Sequence, residues 1–144
     1  MKNVGNNKKG FTIIEVVLVL AIAGLIFLIV FLAVPALQRS RRDTQRRSDV
    51  SRFMAQLENF AANTNGTYPT VTEANGTFKT TYMDTFNDPS SGTAYTVQGT
   101  AVTSAAAGTI FYRTGASCTA TGLGANAVAA TIKLENGEFC QDNR

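Results

Sequence analysis

"KKGFTIIEVVLVLAIAGLIFLIV", residues 8–30, carries a single carboxylate, Glu15, in an otherwise apolar run. A charge held in hydrocarbon costs about 2.5–3.5 kcal/mol at the bilayer centre, so Glu15 either lies at the edge of the run or has a partner waiting for it. From Val16 to Leu37 no residue is charged. At about 1.5 Å rise per residue, a helix of that length crosses the roughly 30 Å hydrocarbon core of a membrane. About a quarter of a 144-residue chain therefore goes to one apolar helix, and what remains suffices for one small domain.

The charge follows the same division. The net +3 comes wholly from Lys2, Lys8 and Lys9, because without them 10 basic residues face 10 acidic ones. Arg39, Arg41, Arg42, Arg46, Arg47 and Arg52 crowd one stretch, and the rest of the chain is mildly acidic. Bulk charge thus does not announce a nucleic-acid binder. With no His and only two Cys, Cys118 and Cys140, the chain has no imidazole metal site, His-based triad or four-cysteine zinc site. No phosphate-binding glycine loop or nucleophile with an adjacent base is present, so an enzyme is not expected and no cofactor is implied.

A secretory signal peptide places its small-residue cleavage site after the apolar region, whereas here Gly10 precedes it. Cleavage at Gly10 leaves the apolar helix on the mature protein. The stretch "KKGFTIIEVVLVLAIAG", residues 8–24, resembles the class III signal of type IV pilins and pseudopilins: a basic leader, Gly at the cleavage site, Phe opening the mature chain and Glu at its fifth residue. The resemblance implies cleavage between Gly10 and Phe11 by a prepilin peptidase, methylation of the new Phe11 amine, and polymerisation of subunits through this helix. It also implies an assembly platform protein and motor ATPases as partners, beside the membrane that holds the precursor. The physics is compatible. An anion one turn from a helix N-terminus is favoured by the dipole, and the Phe11 amine of one subunit can pair with Glu15 of its neighbour, making two costly charges tolerable together.

The organisation expected is a leader over 1–10, a membrane or filament-core helix over 11–37, a polar then amphipathic continuation over 38–62, and a β-rich head over 63–144. Gly24 and Pro35 weaken the apolar helix, Pro35 by removing a backbone hydrogen bond, so a kink or locally loosened segment is expected. "QRSRRDTQRRSD", residues 38–49, has no apolar side chain, and Arg39–Asp43 and Arg46–Asp49 are its candidate ion pairs. A solvated helical neck is the first reading; contact with anionic lipid headgroups before assembly is a sharper one, and contact with neighbouring subunits ranks second and DNA a distant third, because aromatic stacking partners are missing. One rule points the other way: basic residues closely following the apolar run place the C-terminal domain in the cytoplasm on a positive-inside count, so its export rests on the resemblance and the cysteines.

Val50, Phe53, Met54, Leu57, Phe60 and Ala61 then follow the i, i+3, i+4, i+7 pattern of one helical face, and "NTNG", residues 63–66, closes the helix with Gly66 as a left-handed cap. Beyond it, strands are expected over Ala94–Gln98, Thr109–Arg113, Val128–Leu134 and Glu138–Gln141, the last two joined by a type I′ turn at Asn136-Gly137. The fold class is α+β, a long helix whose second half packs on a small antiparallel sheet. In an exported protein Cys118 and Cys140 pair, closing a loop worth about 3 kcal/mol, and this resembles the disulfide-bounded C-terminal region of many pilins.

"DPSSGTAY", residues 88–95, looks loosely like a loop of the major pseudopilins, a calcium-binding group. Asp84 and Asp88 are the only acidic candidates in the wider loop "MDTFNDPSSGTAY", residues 83–95, too few for a site that takes about six to eight oxygens, so a turn is preferred. Asn65 and Asn75 sit in glycosylation sequons of little weight. The function implied is a structural subunit of a type IV pilus, serving adhesion, motility or DNA uptake at the cell surface. The alternatives are a pseudopilin of a secretion or competence system and a membrane-anchored binding module that never polymerises.

Overall fold

The structure, a computed structural model, describes residues 10–99 and 107–144. Residues 1–9 of the leader, and most of the 100–109 segment for which no secondary structure is assigned from sequence, lie outside them. The chain divides into two units, Met1–Gln38 and Arg39–Arg144. Helix α1, Ile13–Asn63, contributes to both and keeps its helical assignment through Pro35. One missing N–H removes a single hydrogen bond from a long ladder, and the flanking turns carry the helix past it.

In the first unit every large apolar side chain of α1 is exposed, from Ile13 at 84% to Val34 at 43%. The length and composition of this stretch suit a membrane span.

The second unit is α+β. After α1 come two short helices, α2 (Val71–Asn75) and α3 (Thr77–Tyr82), then strands β1 (Thr96–Gln98), β2 (Thr109–Thr114), β3 (Val128–Lys133) and β4 (Glu138–Asp142) in the order β1-β2-β3-β4. The strands fall where alternation and turn residues place them, to within two residues at either end. The sheet is mixed, not antiparallel: β2-β3 and β3-β4 are antiparallel, but β1 runs parallel to β2 with Val97 opposite Ile110. Side-chain alternation locates a strand without fixing its direction. Direction depends on the connection between β1 and β2, whose sequence is too bland to reveal its course.

The amphipathic face of α1 forms the floor of the core. Val50, Phe53, Met54, Leu57 and Ala61 are buried, and Phe60 packs half-buried against them. Phe53 is central: its ring lies 5.6 Å from Phe78 and 5.9 Å from Tyr112, both edge-on, and 5.9 Å from Phe86 in a stacked pair. Edge-on and offset aromatic pairs add about 0.5–1.5 kcal/mol each to what area burial supplies. Ile110 and Tyr112 from β2 and Val128, Ala130 and Ile132 from β3 close the core from the sheet side.

The ends of these elements follow local chemistry. α1 stops where Asn65 and Gly66 take positive φ, 55° and 81°, and the Gly66 N–H donates to the Ala61 carbonyl at 2.7 Å. That closure matches the expected left-handed cap. α2 was not expected in a Thr-rich segment, yet a capping box starts it: the Thr70 hydroxyl accepts from the Glu73 N–H, and the Glu73 carboxylate accepts from the Thr70 N–H at 2.8 Å. The β3-β4 turn differs from the type I′ expectation, which needs two residues at positive φ. Only Gly137 has it, at 97°, and the Leu134 N–H donates to the Gly137 carbonyl across the turn.

Candidate assembly site

At the start of α1 the side chains of Thr12 and Glu15 cap the helix reciprocally. Glu15 Oε2 accepts from the Thr12 N–H at 2.9 Å and from the Thr12 hydroxyl at 2.6 Å, while the Glu15 N–H donates to Thr12 Oγ1 at 3.4 Å. The first N–H groups of a helix lack intrahelical partners, and this box satisfies two of them. The signal was present in the sequence as T-x-x-E at residues 12–15. Glu15 therefore has a local role in the isolated chain besides any it takes toward a neighbour.

Around it, Phe11, Glu15, Val16, Val19 and Leu20 line a shallow groove of about 210 Å³ whose exposed walls are almost wholly apolar. Phe11 is 90% exposed. A side chain added at Gly10 or Gly24 meets no atom within 4 Å, and neither glycine has a positive φ. Folding of this chain thus needs a glycine at neither position, although Gly24 costs the helix about 1 kcal/mol relative to alanine.

In the second unit the stretch expected as a solvated neck is partly buried. Arg46 is 2% and Asp49 8% exposed. Arg46 Nε donates to Asp88 Oδ1 at 2.8 Å, Arg46 Nη2 donates to the Ser90 hydroxyl at 2.8 Å, and Arg46 Nη1 lies 3.5 Å from Glu135, which also takes Arg42 Nε at 2.9 Å. The expected helical pairs are replaced: Asp43 faces Arg46 at 3.7 Å and Asp49 faces Arg52 at 3.6 Å. Arg46 is taken by head partners unseen in local sequence, and Asp43 and Asp49 face Arg46 and Arg52 of the same helix in place of the expected Arg39 and Arg46. Asp49 also accepts from the Tyr95 hydroxyl at 3.1 Å.

The two buried carboxylates respond oppositely. Burial pushes Asp88 up, but the Arg46 guanidinium and the Ser90 and Ser91 donors outweigh it and hold the carboxyl below its ordinary range. Burial raises Asp49, and its bonds to Tyr95 and Arg52 do not cancel the effect.

Asp88 is fully buried, its oxygens taken by Arg46, Ser90 and the Ser91 N–H, whereas Asp84 is exposed. The loop is a turn, closed by the Asp88 N–H to Thr93 carbonyl bond and the Gly92 N–H to Asp88 carbonyl bond. Asp88 serves as the counter-ion of Arg46. Among the described residues no group of three His, Cys, Asp or Glu side chains is placed to hold a metal. Cys118 and Cys140 form a disulfide, joining the loop before β3 to β4.

No curated protein and no solved structure matches the chain. One family does: the prokaryotic N-terminal methylation motif, over residues 5–31. That segment is the class III signal motif of type IV pilins and pseudopilins, and the long helix with a small α+β head that follows it is an arrangement consistent with the pilin fold.

Proposed function

We propose that the chain is a type IV pilin subunit. It is held in the cytoplasmic membrane by residues 11–37, cut between Gly10 and Phe11 by a prepilin peptidase, methylated on the Phe11 amine, and polymerised with its own copies into a surface filament through the exposed half of α1. The observation that carries this reading is the methylation motif, which overlaps the stretch of α1 from Ile13 to Leu37 whose large apolar side chains are all exposed. The two glycines support it, since neither answers a need of the chain's own backbone or packing and each is left for another protein to read.

The role is structural. Burial of the apolar helices against one another supplies cohesion at about 25 cal/mol per Å². Cleavage creates an ammonium at Phe11, and Glu15 of a neighbour receives it, setting axial register while removing an unpaired charge from the filament interior. In the precursor that amine is a peptide bond, so the pair forms only after processing. The platform protein and motor ATPases of such systems are the partners this role requires.

Mass spectrometry of the mature chain tests the first step, with a methylated Phe11 at the N-terminus expected and an intact leader overturning it. Glu15→Val tests the second: processing continues and assembly drops sharply, whereas normal filaments from that variant remove Glu15 from the mechanism. The motif is shared with pseudopilins. Fibres visible at native expression support the pilin, and fibres found only on overproduction support the pseudopilin.

A further inference from the structure

The six arginines between residues 39 and 52 fall into two groups. Four are engaged by the head: Arg42 by Glu135, Arg46 by Asp88, Arg47 over the Phe139 ring at 5.0 Å, and Arg52 over the Phe86 ring at 5.5 Å with a hydrogen bond to the Thr85 carbonyl. Arg39 and Arg41 are exposed, and among the described residues they form no ion pair, hydrogen bond or ring contact. These two are also the first charges after the uncharged run that ends at Leu37.

Their spacing matters. Val16 to Leu37 as a helix is about 32 Å long, close to the roughly 30 Å hydrocarbon thickness. Arg39 and Arg41 follow about 3 and 6 Å farther along the axis, at the level of the lipid phosphates. At about 3.6 residues per turn they point to nearly opposite sides of the helix and reach separate lipids. A guanidinium presents paired donors that match phosphate oxygens, and its stem extends toward the interface from a helix end.

We propose that Arg39 and Arg41 form a collar for the headgroups of anionic phospholipids, fixing the depth of the helix while the chain resides in the membrane. This needs only that residues 16–37 span a bilayer, and it holds whether or not the chain polymerises. It also explains positive charge on the side of the helix where the positive-inside tendency disfavours it if the head is exported. The stacking side chains that favour nucleic acid are absent beside these two residues.

The full chain, reconstituted into vesicles of equal phosphatidylglycerol and phosphatidylcholine, tests the collar, with flotation verifying insertion independently. Electron spin resonance of spin-labelled lipids gives the ratio of association constants for the two headgroups. The ratio favours phosphatidylglycerol in the wild type and falls by up to about fivefold per arginine removed in Arg39→Gln/Arg41→Gln. It stays unchanged in Arg113→Gln, which alters a head residue. An undiminished ratio in the double variant overturns the proposal, as does an equal fall in Arg113→Gln. Retained lipid preference with lost affinity for duplex DNA overturns it in favour of nucleic acid.

Discussion

The two halves of α1 treat polarity in opposite ways. Residues 13–37 leave Ile, Leu, Val and Phe side chains in the open, while farther along the same helix Arg46 and Asp49 are buried in the neighbourhood of Phe53. Burial is therefore decided by where the partner is. The head supplies Asp88, Glu135 and Tyr95 to the charged half, while among the described residues the large apolar side chains of 13–37 stay exposed. Hydrophobic pattern reveals what must be covered, but not by which molecule.

Removing the head's claim on the charged half has the largest expected effect. Arg46→Gln strips the buried Asp88 of its counter-ion, a loss of about 3–5 kcal/mol. In a head this small the thermal midpoint should fall by more than about 10 °C, followed by the near-ultraviolet dichroism of the head tyrosines in the detergent-solubilised chain. Arg46→Gln/Asp88→Asn should lose less than the sum of its two singles, because the stranded charge is gone. A loss below about 1 kcal/mol for Arg46→Gln would demote the pair to an ordinary surface contact and dissolve the contrast between the halves. Next comes Cys118→Ser/Cys140→Ser. It opens a loop with a sequence separation of 22 and should cost about 3 kcal/mol in the same melting experiment, leaving the helical signal of residues 13–37 in place.

What the sequence revealed follows from the range of each signal. The apolar run, the Val50–Ala61 stripe, Gly66 and the four strands are short-range patterns, and all are found where expected. The T-x-x-E boxes at 12–15 and 70–73 were equally local and legible, and reading them would have placed α2 and given Glu15 its capping role. The Arg46–Asp88 pair was not legible, since its partners are 42 residues apart and a run of polar side chains looks the same whether water or a carboxylate meets it. The parallel β1 eluded periodicity for the reason given by its connection. As for the candidate site, Glu15 and the Gly10-Phe11 junction stand out by residue type, whereas what would surround them in an assembly is not written in a single chain.

Acid titration probes the buried half without altering its packing. Asp88 has a folded pKa below its unfolded value, so its stabilisation is present above the ordinary carboxylate range and is lost as pH falls through the depressed folded value. Asp49 has the opposite sign: its raised pKa means a penalty at neutral pH that is relieved as pH falls through the raised value. The thermal midpoint should therefore hold or rise slightly from neutrality to about pH 4 and drop below it. Asp49→Asn should abolish the rise, and Asp88→Asn should flatten the drop from a lower starting point. A wild-type curve that declines steadily from pH 7 would show that the Asp49 carboxylate is better solvated than its burial indicates.

The smallest effect separates the two units most cleanly, because the same capping motif occurs in each. Thr70→Ala removes the hydroxyl that receives the Glu73 N–H, and Glu73, held below its usual range by its bonds to the Thr70 backbone and side chain, loses one of its partners. A cap of this kind is worth about 1 kcal/mol, and the short α2 behind it contributes Ala74 to the core, so the head's midpoint should fall by several degrees. Thr12→Ala breaks the matching bonds to Glu15 at the other end of α1 and should leave that midpoint unmoved. If Glu15 is wanted by a neighbour's amine more than by its own helix, Thr12→Ala should also leave assembly intact, in contrast to Glu15→Val. Loss of filaments in Thr12→Ala would mean that the cap, by fixing the Glu15 rotamer, prepares the carboxylate for its partner.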